Sequence, residues 1–159
     1  MKKALLSMAA VATLFTACKK SDDDNGGGTS TNQWKIGGTT YTALAQNGVA
    51  LNGSTLAGTS ASSTSGSVLW VSFGGAVPTT SGTYKIVETA DAADEIDITA
   101  IAGSAGSGTV YGSMDRTANP TAAVTVTGGK ISVTIPEVWA QNAANANDSV
   151  KVSGNLTQQ

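Results

Sequence analysis

The stretch from Ala123 to Ile135 constrains the fold of this chain more tightly than any other. Val124 and Val126 alternate with threonine, Gly128-Gly129 follows, and Ile131, Val133 and Ile135 resume the alternation. Successive side chains of a strand point to opposite faces, so each aliphatic set lines one face. A Gly-Gly pair between two such runs suits a two-residue turn with left-handed backbone. The pattern specifies an antiparallel hairpin with one apolar face. A lone hairpin is marginal in water, so that face needs further strands to cover it.

The rest of the chain from Trp34 to about Thr157 supplies them. Trp34-Lys35-Ile36 and Tyr41-Thr42-Ala43-Leu44 flank Gly37-Gly38, a second hairpin signal. Val68 to Phe73 is nearly continuous apolar and predicts a central strand; Leu69, Val71 and Phe73 share one face, with Trp70 and Val68 on the other. Gly82 to Val87 alternates, and so does Glu95 to Thr99, with Ile96 and Ile98 together. Thr109-Val110-Tyr111 predicts a short strand, and Ser149 to Leu156 a last one with Val150 and Val152 inward. Gly58 to Gly66 reads as a Ser/Thr/Gly surface loop, and only Val138 to Ala146 suits a short helical turn. Charged residues are 13% of the chain, too few for ordinary amphipathic helices, while 40% hydrophobic residues are enough for a core. The expected fold is all-β: an antiparallel β-sandwich of about nine short strands, with a small β-barrel as the alternative.

The N-terminus carries a different kind of information. Lys2-Lys3 precedes a short apolar run, Ala4 to Ala17, which falls short of the roughly 20 residues that span a bilayer. It reads as a signal peptide over residues 1–17. Leu14-Phe15-Thr16-Ala17-Cys18 resembles a bacterial lipobox, departing at Phe15 where leucine is commoner. The resemblance implies cleavage before Cys18, diacylglyceryl on its thiol and an acyl chain such as palmitate on its amine. Each buried methylene contributes about 0.8 kcal/mol, so two or more chains anchor stably where one does not. Lys19-Lys20-Ser21-Asp22-Asp23-Asp24 resembles the surface-export signal of Bacteroidota lipoproteins. That likeness implies an outer-membrane anchor with the protein facing the cell exterior. Asn25 to Asn32 is a Gly/Ser-type tether, so residues 18–32 form the linker and 33–159 the β-domain.

The whole chain is similar to small uncharacterised lipoproteins of Bacteroidota. Those begin with a Trp-x-Ile/Val-x-Gly-x-x-Tyr hairpin, as Trp34 to Tyr41 does, and end with a Val-Ser-Gly-x-Leu/Ile-Thr strand, as Val152 to Thr157 does. The shared motifs imply a location and a fold, and no activity.

What the chain lacks narrows its chemistry. It has no histidine, which excludes Ser-His-Asp and Cys-His catalysis and every histidine-bearing metal site. Its one cysteine is Cys18, so disulfides, thiolate nucleophiles and iron–sulfur clusters are excluded as well. Without Lys2 and Lys3, 7 of the 9 basic residues remain against 11 acidic ones, a net charge of −4 that disfavours nucleic acid. Gly103 to Gly108 is glycine-rich but leads into a strand, where no helix N-terminus waits for a phosphate.

The carboxylates Glu88, Asp91, Asp94, Glu95 and Asp97 cluster in sequence. They read as an acidic loop and an outward strand face. Paired acids in such a cluster could serve a small carboxylate-dependent glycoside hydrolase, with Glu95 and Asp97 as the pair to test. Calcium is the one candidate cofactor, with Asp91, Asp94 and Glu95, or Asn145, Asn147 and Asp148, as oxygen ligands. Trp34, Tyr84 and Tyr111 read as core. Trp70 on its outward face, and Trp139 in an expected loop after Pro136, are the candidate ligand-binding aromatics. Asp148-Ser149-Val150 resembles the O-glycosylation acceptor of Bacteroidota, with Ser149 modified. The expected function is a non-catalytic surface module for binding, adhesion or envelope structure, its partners membrane lipid and an extracellular glycan or protein. An accessory glycan-binding subunit of an outer-membrane importer is the alternative.

Overall fold

The computed structural model describes residues 32–60, 66–103 and 107–159. Cys18, the segment Lys19 to Asp24 and the tether up to Thr31 lie outside the described residues, as do 61–65 and 104–106. The protein is all-β, with no helix among the described residues.

Eleven strands are present, against about nine expected: β1 Gln33–Ile36, β2 Thr39–Thr42, β3 Val49–Asn52, β4 Thr55–Ser60, β5 Ser67–Phe73, β6 Gly82–Val87, β7 Glu95–Ala102, β8 Thr109–Ser113, β9 Thr121–Thr127, β10 Lys130–Asn142 and β11 Asn145–Thr157. β3 and β4 are the additions. Their turn, Asn52-Gly53-Ser54-Thr55, carries Gly53 at φ +58°. β4 also takes Gly58 to Ser60 out of the expected loop, because Gly58 pairs with Leu69 and Ser60 with Ser67. Both Gly-Gly turns form as expected, with φ of +56° and +88° at Gly37-Gly38 and +58° and +78° at Gly128-Gly129. Those angles are open to glycine and strained for other residues.

The strands form one sheet in the order β2-β1-β11-β10-β9-β6-β7-β5-β4-β3, with β8 pairing both β10 and β7. β8 thereby closes β10, β9, β6, β7 and β8 into a hydrogen-bonded ring. Beyond that ring the sheet continues as two wings, β11-β1-β2 and β5-β4-β3, that face each other. Trp34 Nε1 on β1 donates to Ser67 Oγ on β5 at 2.8 Å, and a Cβ on Gly58 of β4 would lie 2.7 Å from Leu156 of β11. A barrel-like closure and a sandwich-like packing thus occur in one continuous sheet.

Three further expectations are corrected. β6 and β7 run parallel, pairing Lys85 with Glu95 and Val87 with Asp97. The acidic stretch Glu88 to Asp94 is therefore a crossover that carries the chain back beside β6. It can be short because the parallel overlap spans only Lys85 to Val87. Val138 to Ala146 forms no helical turn: β10 runs through to Asn142, turns at Ala143-Ala144, and β11 begins at Asn145. Pro136 starts no loop. It sits at a bulge, where Ile135 to Val138 on β10 opposes only Gly154 to Val152 on β11. A residue without an N–H is tolerated at such a break in the ladder.

The core lies between the wings and inside the ring. Trp34, Leu56, Leu69, Ile96, Ile131, Val152 and Leu156 are fully buried within it. The first and last strand motifs noted in the sequence meet here. β1 pairs with β11 so that Trp34 lies opposite Gly154 and Ile36 opposite Val152. A Cβ on Gly154 would fall 2.7 Å from Trp34 Cβ, so only glycine lets the tryptophan pack at this distance.

Candidate functional site

Each acidic side chain of the crossover has a structural partner or faces solvent. Lys85 Nζ pairs with Asp94 Oδ2 at 3.0 Å. That contact raises the lysine's pKa and lowers the carboxyl's, the hydrogen bond contributing most and charge attraction next. Glu95 Oε2 accepts the backbone N–H groups of Ala92 at 3.0 Å and Asp91 at 3.3 Å, which holds the crossover's turn. Asp97 lies half-buried on β7. Loss of hydration raises its pKa, opposed by hydrogen bonds from the Ala90 backbone and the Ser72 hydroxyl. Glu88 is exposed, and its backbone N–H donates to Asp115 Oδ1 at 2.8 Å.

The expected calcium ligands do not converge. Asp94 and Glu95 are engaged as described, and no group of three or more acidic side chains is placed to hold a metal among the described residues. In the second set, Asn145 Oδ1 accepts the Asn147 N–H, and Asp148 Oδ2 accepts from Asn142 Nδ2 at 2.8 Å and Tyr111 OH at 3.4 Å. These bonds organise the β10–β11 turn. Ser149 is exposed on β11 opposite Gln141, on a strand where a loop would be the commoner acceptor.

The aromatic residues separate into two groups. Trp34 stacks on Tyr41 with centroids 6.3 Å apart, and Tyr84 meets Phe73 edge-on at 5.7 Å. Tyr111 is buried in the core. Trp70 and Trp139 are 40% and 41% exposed, which sets them apart from every other aromatic among the described residues. Trp139 lies on β10 itself, correcting its expected place in a loop, and it stands opposite Lys151. The Lys151 ammonium sits 5.6 Å from the Trp139 ring centroid and also pairs with Glu137. The ring is therefore partly occupied by the chain's own cation.

Trp70 projects from the outward face of β5. Its neighbours in register are Ala57 on β4 and Thr99 on β7, both too small to cover an indole. Beside it runs a shallow groove of about 280 Å³ lined by Asn52, Thr55, Ala57 and Ser72. Thr55 Oγ1 donates to Ser72 Oγ at 3.3 Å, and Ser72 stands opposite Asp97 on β7. A larger open groove of about 640 Å³ lies at the end of β8 and β10, with Glu88, Thr89, Met114, Gln141 and Asn142 along it. β7 and β8 separate Trp70 from Trp139, so the two rings do not share a groove.

Asn52, Thr55 and Ser72 carry no signal of their own in the sequence. Alternation alone puts Ser72 on the face of Trp70. Bringing Asn52 and Thr55 there requires β4 to be known as the neighbour of β5. Comparison of the chain with protein-family models, curated proteins and solved structures yields no match.

Proposed function

We propose that this protein is a lipid-tethered binding module, displayed outside the outer membrane and without catalytic chemistry of its own. The observation that carries the reading is Trp70: an indole left uncovered on a fully paired central strand, next to an open groove edged with polar groups. Exposed aromatic rings on rigid elements are common anchors for ligands, because they offer area without an ordering cost. The carboxylates that could have formed a hydrolytic pair are bonded into the crossover or spread along it. The lipobox at Leu14 to Cys18 and the acidic run behind it support the tether and its outward face.

Protease treatment of intact cells tests the placement. The protein is expected to be digested while a periplasmic control survives. Protection alongside the control overturns the surface assignment. Labelling with a palmitate analogue tests the anchor: incorporation is expected in the native protein and absent from Cys18→Ser.

A further inference from the structure

Resting on that reading, we propose that the groove beside Trp70 binds a neutral pyranose, one ring of a longer glycan stacked on the indole and hydrogen-bonded by Asn52 and Thr55. A pyranose presents a face of C–H groups and a rim of hydroxyls. The negative π-face of an indole suits the first, and side chains that both donate and accept suit the second. Both are present, on adjacent strands. The exposed Asn52 amide offers a donor and an acceptor. Thr55 spends its proton on Ser72. That bond leaves the Thr55 oxygen with lone pairs to accept a ligand hydroxyl.

The size and charge of the groove narrow the ligand. At about 280 Å³ it falls just short of sites that enclose a drug-sized molecule, and it lies open at the surface, so one ring fits with the rest of the chain outside. No lysine or arginine lines it, and the carboxylate behind Ser72 repels anionic sugars. Trp139 lacks these features, since Lys151 lies over its ring. The platform is also prebuilt. β5 pairs with β4 from Ser67 to Ser72 and with β7 from Ser67 to Phe73, so little order has to be gained on binding. A single ring binds weakly, and many copies on one cell surface compensate through avidity.

The test is affinity electrophoresis of the full-length lipidated protein in a sugar-free detergent. Native gels contain dextran, mannan, laminarin or galactomannan, with heparin as the anionic contrast. Retardation is expected in at least one neutral gel. Trp70→Ala is expected to weaken it about tenfold, as truncating a central tryptophan commonly does. Trp139→Ala is expected to leave it unchanged. Asn52→Ala and Thr55→Val read the same site without touching the ring, should Trp70→Ala fail to fold, and a smaller loss is expected from each. Retardation by heparin alone, by no neutral polysaccharide, or equally in all variants overturns the proposal. A protein that is shaved from cells but ignores every neutral gel sinks the sugar site and leaves the surface module standing. A protein that binds but is protected from protease does the reverse.

Discussion

At the scale of single residues, packing leaves no slack where the two wings meet. Gly58 lies beneath Leu156 and Trp34, whose nearest atoms would be 2.7 Å and 3.2 Å from an added Cβ. Gly58→Ala is expected to destabilise by about 1–3 kcal/mol, the range for overpacking a filled core, as measured by urea unfolding. No loss would mean that the wings can separate freely. Asp97 gives a pH signature. Burial raises its carboxyl above the ordinary 3.8, so the native state holds the proton more tightly than the unfolded chain does. Its contribution is therefore most favourable below 3.8 and is lost as pH rises through the raised value. Asp94 has the opposite sign. Its carboxyl is lowered by Lys85, so its contribution is present above 3.8 and is lost as pH falls through the lowered value. Urea melts from about pH 3 to about pH 7 are expected to show the native protein losing ground to Asp97→Asn and gaining on Asp94→Asn as pH rises. Two flat differences would show that neither shift exists.

At the scale of elements, the seam where β6 and β8 meet along one edge of β7 decides how the ring closes. β6 pairs with β7 through Val87 opposite Asp97, and β8 pairs with it from Gly112 opposite Thr99. Ile98 falls between them, and its N–H has no strand partner there. Ser113 fills the gap. Its hydroxyl accepts from Ile98 N at 2.8 Å and donates to Val87 O at 2.6 Å, and the side chain is 4% exposed. Ser113→Ala strands one donor and one acceptor in a dry seam and is expected to cost roughly 1–3 kcal/mol. Ser113→Thr keeps the hydroxyl and is expected to retain more stability than alanine. An alanine variant as stable as the native protein would mean that water replaces the hydroxyl.

At the scale of the whole molecule, the open rim between the wings is closed by residues at the two extremes of the described chain. Asn32 bonds the Thr157 backbone through both amide atoms. The Gln159 backbone N–H donates to Val49 O at 3.1 Å, and its Oε1 accepts from Gly48 N at 2.7 Å. β11 thus reaches β3 across the rim. Gln159→Ala removes the side-chain bonds and is expected to lower stability by about 1 kcal/mol, with amide exchange quickening at Gly48 and Val49. Unchanged exchange at those two amides would show that the rim is held by other contacts. Asn32, read from the sequence as the last residue of the Gly/Ser segment, is instead buried and clamped to Thr157 beside the first strand.

The sequence alone determined what depends on neighbours along the chain. Alternating valine and isoleucine set the inward faces of β7, β9 and β10, and the Gly-Gly pairs set two hairpin turns, because strand pleat and turn geometry are local. The missing histidine and the single cysteine closed off whole classes of chemistry without any fold. The face on which Trp70 lies followed from its place between Leu69 and Val71, and its exposure did not, since Val68 on the same face is buried. The tertiary structure decided everything that depends on which strand lies beside which. The parallel β6–β7 pair, the double role of β8 and the bulge at Pro136 have no local mark, and neither do Asn52 and Thr55 beside Trp70 nor the hydroxyl of Ser113 in the seam. Strand pairing is chosen by burial against a shared core among segments far apart in sequence. One alternating pattern satisfies many partners, and only the packed molecule selects among them.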